Sequence, residues 1–119
     1  MLLDSVIVID YLNAVPAAEA FIDATPQAVI SVITVAEVLA GIDDAGFDDV
    51  SQFLRTFPIF LVDTDIAERA SRLRRTERWR LPDALQAAIA QHHGWQLATR
   101  NTRDFRPADH PFVVVPYTI

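Results

Sequence analysis

The sequence predicts an α/β fold, a three-layer αβα sandwich on a mainly parallel sheet, and three observations predict it. Short apolar segments rich in β-branched residues alternate along the chain with longer helical patterns, which is the order of a parallel sheet with helices on both faces. Capping and turn residues punctuate nearly every transition. At 119 residues, with 51% hydrophobic and 22% charged side chains, the chain has the size and composition of a single globular domain spanning 1–119.

The elements follow in order. Met1–Leu3 reads as a short buried strand. Val6-Ile-Val-Ile9 favours strand by propensity, yet Ser5 can cap a helix running towards Leu12. Pro16 opens a helix through Ile22. Ala28–Ile33 reads as a second strand, and Thr34 starts a helix that fades at Gly41. Asp43–Gly46 reads as a turn, and 48–56 as a helix with Val50, Phe53, Leu54 and Phe57 at helical spacing. Ile59–Val62 is a third strand. Asp63 or Thr64 caps a helix reaching about Arg78. Pro82 suits the first turn of an alanine-rich helix that Gly94 ends. Trp95–Thr99 and Phe112–Val115 complete five strands.

Acidic residues fall at or near the junctions of these elements. Asp4 follows the first strand, Glu37 lies in Ser31-Val-Ile-Thr-Val-Ala-Glu37, Asp83 in Arg80-Leu-Pro-Asp83, and Asp104 closes Thr99-Arg-Asn101-Thr-Arg-Asp104. In a parallel sheet such junctions gather along the edge where ligands bind. Carboxylates brought together there repel one another unless a cation neutralises them, and an all-oxygen set suits a hard ion, Mg²⁺ or Mn²⁺. Each residue also has a structural reading. Thr34-x-x-Glu37 is a capping box; Asp83 complements a helix dipole; Asp4, Asn101 and Asp104 can bond to backbone in local turns.

Composition excludes several classes. The absence of cysteine removes disulfides, thiolate metal sites and cysteine nucleophiles. All ten basic residues are arginine, so lysine chemistry is excluded as well. No Gly-rich nucleotide fingerprint and no nucleophile-elbow serine is present. His92 and His93 are adjacent and point about 100° apart on a helix, so with His110 they make a poor zinc set. Apolar runs are far shorter than the roughly 20 residues of a membrane span, and no basic leader precedes an apolar segment; a cytoplasmic protein without a membrane role is expected. Charge is polarised within the net −6, since no basic residue precedes Arg55 and six arginines crowd into Arg69–Arg80. That cluster reads either as a solvated helix face paired with Glu68 and Glu77 or as a phosphate contact.

With these motifs assembled, the chain resembles the PIN-domain family, specifically the VapC-type toxins of toxin–antitoxin pairs. Leu2-Leu-Asp4-Ser5-Val-Ile-Val-Ile-Asp10-Tyr-Leu12 is similar to that family's opening segment. Ser31–Glu37, Leu81–Ala88 and Ala98–Phe105 are similar to its second, third and fourth motifs, so the likeness spans essentially the whole chain. The resemblance implies a five-stranded sheet of order 3-2-1-4-5 and a metal-dependent endoribonuclease using Mg²⁺ or Mn²⁺ to activate water. Asp4 and Asp83 would be direct metal ligands, and Glu37 and Asp104 would complete the acidic cluster. Asn101 would orient Asp104 or a water, and Ser5 would stand for the family's threonine hydroxyl. The implied partners are an RNA substrate, a VapB-like antitoxin and a second copy of the chain in a homodimer. Val6, where the family usually has Ser or Asn, favours an alternative: a PIN-like module that binds RNA or protein without cleaving.

Overall fold

Eleven short elements make up the computed structural model, which describes residues 1–119 throughout. They are β1 (Leu2–Leu3), α1 (Ser5–Leu12), α2 (Pro16–Asp23), β2 (Ile30–Ser31), α3 (Val32–Ala40), α4 (Asp44–Leu54), β3 (Ile59–Phe60), α5 (Thr64–Glu77), α6 (Leu81–His93), β4 (Leu97–Ala98) and β5 (Val113–Val114). Every strand pairing is parallel. β4 lies between β1 and β5, and β2 pairs with β3. The two ladders meet at a single bridge between Leu2 and Val29, where the Leu3 N–H donates to the Val29 carbonyl at 2.9 Å. The single five-stranded sheet expected from the sequence is therefore formed as three strands plus two, with only two residues in each strand.

Strand alternation sends neighbouring side chains to opposite faces, and the two cores follow that rule. Leu2, Val29, Leu97 and Val113 face one core with Ile66, Ala70 and the buried side of α6. Leu3, Ala28, Ile30 and Ala98 face the other, with Ile7, Val8, Val38 and Leu54 from α1, α3 and α4. Helices thus cover both faces, in the predicted αβα layering. No single helix is long and apolar enough to cross a membrane.

Caps explain where several element boundaries depart from expectation. Val6–Ile9 is helical because Asp4, not Ser5, is the N-cap, its Oδ1 accepting the Ser5 N–H at 2.9 Å. α3 begins three residues earlier than expected because Ser31 caps it, its Oγ accepting the N–H groups of Ile33 and Thr34. The second strand is cut to Ile30–Ser31, Thr34 becomes a buried helical residue, and the Thr34–Glu37 capping box does not form. Asp43 caps α4 through the Gly46 N–H, so the expected turn is instead the first turn of a helix.

Candidate active site

The edge at the C-terminal ends of β1, β2 and β4 carries a cavity of about 420 Å³. Asp4, Glu37 and Asp83 line it with Ser5, Val6 and Asn101, and Arg80, Arg100 and Arg103 stand around it. Asp4 arrives directly after β1 in the cap position of α1, where the helix dipole favours a negative charge. Glu37 is carried by α3, less than two turns beyond β2. Asp83 lies in the first turn of α6, whose start is set by Pro82.

Asp4 is 5% exposed, and both its oxygens are engaged. Oδ1 accepts the Ser5 N–H, and Oδ2 accepts the Thr99 hydroxyl at 2.7 Å. Burial nevertheless pushes its carboxyl up to about 6. The Thr99 hydroxyl pulls the other way, while the nearby charges of Asp83 and Glu37 add to the rise. Burial likewise raises Asp83, Arg80 opposes that, and Asp104 adds to it. Asp83 Oδ2 is buried without a hydrogen-bond partner: Arg80 Nε stands 3.5 Å away as an exposed ion-pair contact and completes no hydrogen bond. A buried carboxylate oxygen without a hydrogen bond, beside a second acid held above its ordinary range, is an arrangement that a cation would stabilise.

No three acidic or histidine side chains stand close enough together to enclose an ion. The acids present could offer a divalent ion one or two carboxylates, with its remaining positions left to water and phosphate oxygens rather than a closed protein cage. Asp104 is the one predicted acid outside this cavity; it lines the adjoining one. It stays close to the first group through Asn101, whose Nδ2 donates to Asp104 Oδ2 at 3.1 Å, and its backbone carbonyl accepts the Trp79 indole N–H at 2.8 Å. Ser5 contributes its N–H to Asp4, while the hydroxyl that Asp4 accepts comes from Thr99.

Two supports were not anticipated from the sequence. Gln86, fully buried one turn after Asp83, accepts from Ser31 Oγ at 2.7 Å and donates to Thr34 Oγ1 at 2.7 Å. Thr34 lies one turn before Glu37, so this bridge braces the α6 and α3 turns that carry two of the acids. The available signal was an amide set between apolar neighbours, Leu85 and Ala87, on α6. Arg100 forms the second support. It grips Asp10 through Nε and Nη2 at 2.6 and 2.9 Å, and the Tyr117 hydroxyl adds a third bond to Asp10 at 2.8 Å. The Arg100 guanidinium holds the Asp10 carboxyl below its usual range, and the pair ties α1 to the loop after β4 and to the C-terminal segment.

Residues 1–111 match the PIN domain family. A toxin–antitoxin complex from Klebsiella pneumoniae contains a chain of the same fold at a TM-score of 0.89 and 41% identity, over 99% of this chain and 98% of that one. FitAcB from Neisseria gonorrhoeae matches at 0.79 and 24% identity, over 99% of both chains. VapBC2 from Rickettsia felis, bound to a fragment of promoter DNA, matches at 0.76 and 18% identity, over 95% of this chain and 94% of that one. The last two likenesses speak to fold alone. No curated protein matches the sequence.

Proposed function

The chain belongs to the PIN-domain family, and on that premise we propose that it is a Mg²⁺- or Mn²⁺-dependent endoribonuclease, the toxin of a VapBC-type pair. The observation that carries the reading is the cavity lined by Asp4, Glu37 and Asp83, together with an Asp83 oxygen that is buried without a hydrogen bond. Asp4 and Asp83 would hold the ion; Glu37 faces the same cavity, and Asp104 stands next to it through Asn101. A bound divalent ion would supply charge neutralisation at the scissile phosphate and a more acidic water.

The chain's own residues perform the rest. Thr99 and the Ser5 N–H fix the Asp4 carboxylate, so its remaining lone pairs are already directed when a ligand arrives. Glu37, half-buried at the cavity wall, is placed to take a proton from an attacking water. Arg80 and Arg103 at the mouth offer forked donors to phosphate oxygens. Water attacks the phosphorus, the bond to the 3′-oxygen breaks and that oxygen takes up a proton, so the cut strand carries a 5′-phosphate and a 3′-hydroxyl.

Val6 lines the same cavity with an apolar side chain; that supports the second reading, a module that binds without cutting. Calorimetric titration with Mg²⁺ and end-group mapping of the products separate the two. The nuclease reading expects Mg²⁺ binding that Asp4→Asn removes, together with 5′-phosphate ends; binding without cut ends favours the module. The antitoxin partner follows from the Klebsiella relative's complex: an adjacent small protein with a basic C-terminal segment would answer the acidic cavity. A homodimer and cytoplasmic residence belong to the same proposal, and size-exclusion chromatography with light scattering checks the first.

A further inference from the structure

Next to the acidic cavity lies a second one of about 270 Å³, whose Arg78 and Arg106 the ribonuclease reading leaves without a role. The two adjoin: Arg103 lines both, and Asn101 of the first bonds to Asp104 of the second. Arg78, Arg103 and Arg106 line this second cavity, and none of them has a carboxylate within ion-pair distance. Three acids line it too: Glu77 faces His110 at 3.5 Å, Asp104 accepts from Asn101, and Asp109 has no partner, so the lining is charge-balanced while the three guanidiniums keep their donors free. In a chain of net charge −6, five of the ten arginines (Arg78, Arg80, Arg100, Arg103 and Arg106) stand on these two cavities.

Arg78 adds an independent observation. It ends α5 in the left-handed region, φ 60° and ψ 26°, where an L side chain crowds its own backbone. α6 ends in the same geometry but uses Gly94, φ 69°, the residue that adopts it freely. Ala14, φ 59°, is the other non-glycine residue in this region, and Arg78, unlike Ala14, lines the cavity beside the acidic site.

We propose that Arg78, Arg103 and Arg106 form a phosphate subsite that holds the backbone of single-stranded RNA beside the linkage lying in the acidic cavity. The proposal rests on the ribonuclease reading and deepens it. An acidic cavity alone repels a polyanion; forked guanidinium donors beside it can hold the strand's phosphates in place, and such contacts are independent of base sequence.

The test is fluorescence-anisotropy binding of a labelled, mixed-sequence single-stranded RNA 12-mer to the intact protein, in EDTA to suppress cleavage, across a series of salt concentrations. Arg78→Gly, Arg103→Gln and Arg106→Gln are compared with Arg72→Gln and Arg75→Gln, which lie on α5 outside both cavities. Each subsite variant is expected to lower the log–log salt slope by about 0.7, equivalent to roughly fivefold weaker binding at 0.1 M salt when referred to 1 M. The α5 controls leave the slope unchanged. Arg78→Gly melts at or above the wild-type temperature, because glycine relieves the left-handed cap, so its lost affinity is not lost folding. Equal slopes for subsite variants and wild type overturn the proposal, as do controls that weaken binding equally. Wild-type protein that fails to bind the 12-mer at low salt overturns it too. If that protein still cuts RNA with Mg²⁺, the ribonuclease reading stands and only the subsite falls.

Discussion

Asp4 shows how a single buried carboxylate ties stability to function. An acid whose pKa rises on folding holds its proton more tightly in the folded chain, so stability falls as pH climbs through the interval between the two values. For Asp4 the interval runs from 3.8 unfolded to about 6 folded, and Asp83 shifts in the same direction. Asp10 shifts downward, so its contribution is complete above its unfolded value and is lost only in more acidic solution. The metal-free chain should therefore be more stable at pH 5 than at pH 7, with Asp4 accounting for about 1.4 kcal/mol, the one pH unit between pH 5 and its folded value of about 6. Urea melts at the two pH values check this. Asp4→Asn should flatten the slope while abolishing cleavage, and a wild-type profile flat or rising from pH 5 to pH 7 would contradict it. Asp4 and Asp83 could be placed near one edge from the sequence because each sits at the start of a helix, whereas Glu37 lies within α3. The supports were less legible: Thr99 reaches Asp4 across 95 positions of sequence, and no local pattern announces such a pairing.

Among the elements, α6 carries the most. It presents Asp83 at its first turn, its alanines allow close packing beneath the sheet, and Gln86 bridges it to α3. Gln86→Leu would strand the Thr34 hydroxyl, left with only a 3.4 Å bond to the Leu3 carbonyl. The expected cost is about 1–3 kcal/mol, the range for a buried polar group left unpaired. Cleavage should fall further than Gln86→Glu makes it fall, because glutamate when protonated keeps a donor towards Thr34. A Leu variant with unchanged melting and unchanged turnover would show that the bridge positions nothing. Helix existence was readable from proline, glycine and apolar spacing. Two helix starts were not: Ser5 and Thr34 were the expected caps, and in each case an earlier residue, Asp4 or Ser31, takes the cap position. That choice is tertiary, since Ser31 Oγ also bonds to Gln86 and Asp4 to Thr99. Strands only two residues long hold too little pattern to fix their own ends.

For the molecule as a whole, the αβα layering was legible because alternating strands and helices admit few arrangements, and Leu2/Leu3 and Leu97/Ala98 divide between the two cores as strand periodicity requires. The junction between the β2–β3 and β1–β4–β5 ladders was not legible, since a single bridge carries it. Nor was the partition of the acids into adjoining cavities, which follows from how the loop after β4 folds back through Asn101. The polarised charge resolves in three dimensions: α5 keeps Arg69, Arg72 and Arg75 in solvent, while Arg78 and Arg80 reach the cavities. The most direct test of the central claim is cleavage of end-labelled tRNA and rRNA fragments by the purified chain in Mg²⁺, Mn²⁺ or EDTA, beside Asp83→Ala. Discrete cuts that require metal and vanish in the variant are the expected result. Cutting that survives both EDTA and the loss of Asp83 would contradict it.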